Sequence, residues 1–346
     1  MKIKIDMLSR ATSAPAQGVG SVYIEQTQLM KELGKDDFEI YINKHSSKMD
    51  IYHIHSVNPT FYLRMTKKRT TVCFVHFMPD TLVGSVRLPK VVFKIFAKYV
   101  VSFYKKAKEI VVVNPSYIQG LTDYGIRKDK ITFIPNFVSE KDFFRFDDIQ
   151  REKTRDKYSV PKNAFVVLGV GQVQTRKGIF DFIKASEENP DMFFVWAGGF
   201  SFKNITDGYP ELKKEMKKKR KNLLFLGIIP REKMNEVYNL ADVFFLPSYS
   251  ELFPMALIES VHTGCPYIVR DLDVYKDILP KDYLCASDND GFNAILRLLK
   301  TDEYFYKESL EEIKEFKKMY SRESIYDKWK EYYKYVYLKY NMNKKD

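Results

Sequence analysis

The stretch 241–260, ADVFFLPSYSELFPMALIES, decides how the chain is read. Its first seven residues form an apolar run of the length of a buried strand, and Pro254 stands where a helix would begin. Proline suits the first helical turn, because its missing N–H is not needed there and its φ is already helical. Glu251 therefore falls just before a helix and Glu259 within it, with Leu-Phe-Pro-Met-Ala-Leu-Ile between them. The carboxyl ends of strands in open α/β sheets are where ligands bind. Two carboxylates placed across such a junction need a chemical reason.

Outward from this point, short Val/Ile/Phe-rich runs alternate with longer amphipathic stretches, the pattern of repeated β-α units around parallel sheets. In the first half, strands are expected at KIKIDML (2–8), FEIYI (38–42), DIYHIH (50–55), TTVCFVH (70–76), EIVVV (109–113) and KITFIP (130–135). Helices fill the gaps, notably 21–33 and 90–107. After Asn136 a charged, irregular segment leads to a short helix, DDIQREKTRDKY (147–158), so 137–162 reads as a linker. The pattern restarts at AFVVLGVG (164–171) and continues with strands at MFFVWAG (192–198), NLLFLG (222–227), DVFFLP (242–247) and PYIV (266–269). Helices close the chain at about 291–300, 303–318 and 322–340. The architecture expected is α/β, with two Rossmann-like, doubly wound domains facing each other across a cleft.

A chain of 346 residues is long enough for two domains, each with its own core. With 45% apolar and 29% charged residues, its composition is that of an ordinary globular protein. The cysteines Cys73, Cys265 and Cys285 lie far apart and form neither a C-x-x-C pair nor a disulfide framework, so they read as buried thiols of a reducing cytoplasm. The opening MKIKIDML looks like a first strand and not a signal peptide, and no window approaches the ~20 apolar residues of a membrane span. A soluble or at most peripheral protein is expected. Its net charge is +12, and residues 1–150 hold 23 Lys and Arg against 15 Asp and Glu. An excess concentrated in one half points to an anionic partner surface.

Several residues could carry chemistry. In SRATSAPAQGVGSVY, after the first strand, Gly18-Val19-Gly20 immediately precedes a helix whose first turn Ser21 can cap. Glycines there either let backbone N–H groups approach a phosphate at the helix's positive end or simply form a turn. The dinucleotide fingerprint G-x-G-x-x-G fails, since Tyr23 takes the third glycine's place. After VVLGVG, the loop QVQTRKG puts Arg176 and Lys177 in front of a helix N-terminus, where the dipole already favours anions. A diphosphate would relieve the conflict, and a solvated basic pair is the plainer reading. His76 ends its strand at the ligand edge, with Asp80 four residues on, and is either a site residue or a hydrogen-bonded structural histidine. The triplets Asp271-Leu-Asp273 and Asp288-Asn-Asp290 could hold a divalent cation, but neither directly follows a clear strand. In KVVFKIFAKYVVSFYKKAK, Lys90, Lys94 and Lys98 share one helical stripe, which fits a core helix with a solvated edge as well as one touching a bilayer. The run KKEMKKKRK (213–221) is a solvated face and not a nucleic-acid patch.

Taken together, these residues resemble the retaining glycosyltransferases of family four, which have the two-domain GT-B fold. The resemblance covers nearly the whole chain, and its centre is E-x7-E at Glu251 and Glu259, about 75 residues after the R-K-G loop. Two glutamates at that spacing alone arise by chance about once in a chain this acidic; their placement gives them weight. The resemblance implies that Arg176 and Lys177 neutralise the donor diphosphate, that Glu259 binds the ribose hydroxyls, and that Glu251 sits beside the transferred sugar. Gly18, Val19 and Gly20 would approach the diphosphate from the other domain, His76 would contact the sugar, and Phe253 and Met255 would line the nucleotide site. It also implies that no metal and no cofactor is needed, the UDP-sugar being a co-substrate, and that Asp271 and Asp273 belong to a structural or sugar-side loop.

One departure from the family pattern is informative: Leu252-Phe253-Pro254-Met255 stands where many relatives have glycine after the first glutamate. ELFPM looks like the form found in bacterial diacylglycerol glycosyltransferases. The opening MLSRATSAPAQGVGSVYIEQ and the later RDLDVYKDIL are similar to the subgroup that extends monoglucosyl-diacylglycerol. The resemblance thus implies UDP-glucose or UDP-galactose as donor and a membrane glycolipid as acceptor, with no nucleic acid. Residues 1–145 would form the acceptor domain and 146–320 the nucleotide-sugar domain, with 321–346 a helix returning to the first. Lys90, Lys94, Lys98, Lys105 and Lys106 would hold the enzyme on the anionic inner face of the cell membrane. The same chemistry on a polysaccharide-repeat lipid or a protein stays open. A non-enzymatic basic protein would not need these two motifs at one sheet edge.

Overall fold

The structure is a computed structural model that describes residues 2–10, 18–79, 89–200 and 207–341. The first sheet has β1 (Ile3–Leu8), β2 (Phe38–Ile42), β3 (Ile51–Ile54), β4 (Thr71–Val75), β5 (Glu109–Val112) and β6 (Ile131–Phe133) in the order β2-β1-β3-β4-β5-β6. Every pairing is parallel, with Ile5 opposite Ile40 and Ile51, and Val72 opposite Glu109. Helices cover parallel sheets on both faces, which is why β3, β4 and β5 are buried throughout and largely apolar. The reversal of strand order falls between β1 and β3.

The second sheet contains β7 (Val166–Val170), β8 (Phe193–Ala197), β9 (Leu223–Gly227), β10 (Val243–Leu246), β11 (Tyr267–Arg270) and β12 (Cys285–Ala286), ordered β12-β11-β10-β7-β8-β9 and again parallel. Counted from β7, this is the 3-2-1-4-5-6 order of a dinucleotide-binding sheet, with its switch point between β7 and β10. Phe182, Phe194, Trp196, Phe245 and Phe292 interlock in its core, with the Phe182 and Trp196 rings edge to face at 5.0 Å.

The described residues divide into one unit of residues 2–10, 18–79, 89–137 and 320–341 and another of residues 138–200 and 207–319. The segment after Val138 is tied to the second unit by its side chains. Asn235 Oδ1 accepts from the backbone N–H of Phe144, and Asn239 Oδ1 accepts from that of Phe146. Arg151 and Arg155 both pair with Asp242 at the start of β10. The closing helices run Asn289–Thr301, Glu303–Met319 and Arg322–Asn341, within two residues of their expected spans. The last of them packs on the first sheet: Tyr333 meets Gln26 and His53, and Lys339 and Tyr340 meet the buried Glu109.

Candidate active site

In the second unit, the two strands that flank the switch point deliver the basic loop and the first glutamate. Beyond β7, residues Thr175–Lys177 make one 3₁₀ turn that ends at Gly178, where φ is +71°. A side chain there would meet Pro247 O at 2.2 Å, so glycine alone lets this turn press against the loop that follows β10. That approach brings Lys177 Nζ to 2.5 Å from Glu251 Oε1, with both side chains largely buried. Arg176 NH1 donates to Ser250 O at 2.5 Å, while its Nε is buried without a partner among the described residues. Burial pushes the Glu251 carboxyl up, but the charges of Lys177 and Arg176 and the hydrogen bond from Lys177 outweigh it and hold the group below its ordinary value. Burial lowers Lys177, the Arg176 charge adds to this, and Glu251 counters only part of it. Arg176, Lys177 and Glu251 are thus assembled at one sheet edge as a charged cluster with donor capacity left over.

Pro254 corrects the sequence reading slightly. It caps the helix Met255–His262 and does not sit in its first turn; its carbonyl accepts from the N–H groups of Leu257 and Ile258. Phe253 is buried and Met255 half-buried at this helix start. Glu259, 4% exposed, is engaged on both oxygens: Arg231 binds Oε1, and the buried Tyr238 donates to Oε2 at 2.6 Å. A carboxylate has about four lone-pair sites, so capacity for a diol remains. Burial, with the nearby Glu259 charge, pushes the Tyr238 hydroxyl well up, which keeps it a donor. Arg231 and Tyr238 escaped the sequence reading because no fixed spacing announces them. A cation in PREK, just before a short helix, was the only signal.

Asp273 pairs with Lys276 at 2.6 Å, Asp288 caps the helix Asn289–Thr301, and Asp271 is exposed. Among the described residues no group of three or more His, Cys, Asp or Glu could hold a metal ion.

In the first unit, His76 follows β4 and is half-buried, while Asp80 lies outside the described residues. Side chains two apart on a strand share a face, so His53 and His55 join Phe74 and His76 in one aromatic layer. His55 and His76 stack at 5.5 Å, and His76 Nε2 lies 3.3 Å from His55 Nδ1. Burial drives His53 and His76 down to about 3 and His55 well below its ordinary value, so all three are neutral. The H-x-H at 53–55 on a strand was the available signal for this layer. Gly18-Val19-Gly20 differs from expectation: the helix runs Gly18–Leu33, so these residues form its first turn and Ser21 lies inside it, not at its cap. First-turn N–H groups lack helical acceptors, so the amides that were expected to face an anion belong to the helix itself. Most of the preceding loop, residues 11–17, lies outside the described residues.

The helix Lys90–Lys106 buries Val100, Phe103 and Tyr104. Lys90, Lys94, Lys98, Lys105 and Lys106 are exposed, and so are Val91, Val92 and Ile95, at 71, 49 and 65%. Lys106 is partly engaged, donating to Tyr62 O at 2.7 Å with its ammonium 4.0 Å from the Tyr62 ring centre. Among the described residues no helix is long and apolar enough to cross a membrane.

The fold and the charged edge define a class, and comparison with known proteins agrees. Residues 150–318 match the model of the glycosyl transferases group 1, and residues 35–142 that of glycosyltransferase family 4. The structure of Anabaena Alr3699/HepE in complex with UDP and glucose superposes with a TM-score of 0.76 at 13% identity, over 96% of this chain and 99% of that one. Both sheets and the closing helix are those of a GT-B protein. The chain is 38% identical over 335 residues to alpha-galactosylglucosyldiacylglycerol synthase of Streptococcus pneumoniae, covering 96% of this chain and 89% of that protein. It is 23% identical to processive diacylglycerol alpha-glucosyltransferase of Acholeplasma laidlawii, over 79% of this chain and 80% of that one. The protein belongs to the family 4, group 1 glycosyltransferases.

Proposed function

We propose that the protein moves a hexose from UDP-glucose or UDP-galactose to monoglucosyl-diacylglycerol with retention, giving an α-linked diglycosyl-diacylglycerol. The observation that carries the reading is the cluster of half-buried Arg176 and Lys177 with buried Glu251 at the switch point of the second sheet. An ammonium has three donors and Glu251 takes one. Lys177 can therefore keep its partner while binding the diphosphate, and Arg176 has a buried Nε still to satisfy. Cations fixed where negative charge develops stabilise the departing diphosphate without reorganising during the reaction. Glu259, held by Arg231 and Tyr238, takes the ribose hydroxyls, with Phe253 and Met255 alongside; Glu251 sits beside the transferred sugar. Gly18, Val19 and Gly20 offer first-turn amides to the diphosphate, and His76 contacts the hexose. This set of residues calls for no metal and no further cofactor.

The glycolipid acceptor is supported by the names of the two diacylglycerol-acting relatives. It is also supported by the helix Lys90–Lys106, which pairs exposed lysines with exposed Val91, Val92 and Ile95, the combination that binds an anionic bilayer surface. The enzyme would then work at the inner face of the cell membrane, with the first unit serving the acceptor and the second the donor.

The test is incubation of the protein with monoglucosyl-diacylglycerol in anionic vesicles and radiolabelled UDP-glucose or UDP-galactose, beside a Glu251→Ala control. A labelled diglycosyl lipid from one donor, absent in the control, is the expected result. UDP binding without any lipid product from either donor would refute the glycolipid acceptor and favour a polysaccharide-repeat lipid or a protein.

A further inference from the structure

His55 follows β3 at the switch point of the first sheet, and its ring lies behind that of His76. It is 2% exposed, and its Nε2 is buried without a hydrogen-bond partner among the described residues. A neutral imidazole carries one proton, so the 3.3 Å contact between His55 Nδ1 and His76 Nε2 has two registers. If His55 accepts, its own proton sits on Nε2 and a buried N–H has no acceptor. If His55 donates, only a lone pair is left unmatched at Nε2. Orphaned buried N–H groups are rarer than under-satisfied acceptors, which selects the second register.

His53 repeats the choice independently. Its Nδ1 lies 2.6 Å from the Tyr333 hydroxyl, and its Nε2 is likewise buried and unmatched. The Tyr333 oxygen accepts from Gln26 at 3.1 Å, and Met7 Sδ, 3.9 Å away, is an acceptor for its proton. The oxygen is therefore free to accept from His53 as well, and both histidines donate through Nδ1.

We propose that His55 is a positioning residue that sets the tautomer of His76: it donates Nδ1–H to His76 Nε2, so His76 presents an Nδ1–H to an oxygen of the transferred hexose. The Nδ1 of His76 has no hydrogen-bond partner among the described residues. A fixed N–H accepts no proton from the sugar, so the hydroxyl that meets it must direct its own proton elsewhere. The part played by the hexose rests on the proposed function; the tautomer does not.

Nitrogen-15 spectra of histidine-labelled, substrate-free protein read which ring nitrogen carries the proton. The expected result is protonation of His76 at Nδ1. In His55→Phe the ring stack survives, the donor is gone, and His76 is expected to shift towards the Nε2–H form. The kcat/KM for hexose transfer should then fall about tenfold, the size of one lost hydrogen bond, and recover in His55→Gln, whose amide can donate. A native His76 protonated at Nε2 overturns the proposal, as does a His55→Phe variant with the His76 tautomer unchanged. Because the spectrum needs no substrate, a failure of the glycolipid reading leaves this result standing.

Discussion

At the switch point of the second sheet, two strand ends bring an ammonium and a carboxylate to 2.5 Å beside a guanidinium. At the ligand edge of the first sheet, the strand ends bring together imidazole and phenyl rings that burial keeps neutral. The topologies are alike and the chemistry is opposite. A preformed charged cluster suits a ligand that carries its own charge and must shed it as a leaving group. A neutral, aromatic edge suits a ligand known by its hydroxyls and faces. On the outer helix Lys90–Lys106 of the first unit, five lysines are exposed, away from its core.

That contrast can be broken in graded ways. Reversing all five lysines of the outer helix to glutamate should have the largest effect. At roughly 1 kcal/mol per basic residue near an anionic surface, vesicle affinity should fall by about three orders of magnitude or more. UDP binding should be untouched. Co-sedimentation with anionic and neutral vesicles measures it, and equal binding of variant and native protein would remove this helix from the account.

Next in size is Lys177→Met, which leaves the Glu251 carboxylate buried without its closest cation. Removing one member of such a pair costs about 3–5 kcal/mol, read as a lower unfolding midpoint in denaturant, together with loss of transfer. A variant of native stability would mean that Glu251 simply takes up a proton, and a pH titration of its stability would show this.

The smallest effect concerns the neutral edge. His53 is fully buried, with its ring held at about 3 against an ordinary 6.5. Between those values the unfolded chain binds the proton that the folded one refuses, so stability rises with pH there. It is fully present above about 6.5 and is lost as pH falls towards 3, at up to about 1.4 kcal/mol per pH unit. His53→Gln should flatten that slope between pH 6 and 4 in thermal melts at fixed ionic strength. An unchanged slope would assign the acid sensitivity to other groups.

How much of this was legible follows from range along the chain. All strands but the two-residue β12, the closing helices, the R-K-G turn and the paired glutamates are written in spacings of a few residues, which local pattern reveals. His53 and Tyr333 are 280 residues apart, and nothing local marks them as partners. Arg231 and Tyr238 converge on Glu259 only after β10 and its helix have folded back on the preceding segment. The start of the first helix was misjudged because Gly18 and Gly20 look like turn residues, and helix propensity alone argues against them. The helix takes in both glycines.

The helix Arg322–Asn341 has a consequence in time. It supplies Trp329, Tyr333 and Val336, all fully or nearly fully buried, to the same unit as the strands laid down first. During synthesis at about 5–20 residues per second, every strand of both sheets is made before this helix is. The first sheet therefore has one flank of its aromatic layer covered only after the second unit's strands have been made, and the unit that is begun first is the last to be completed.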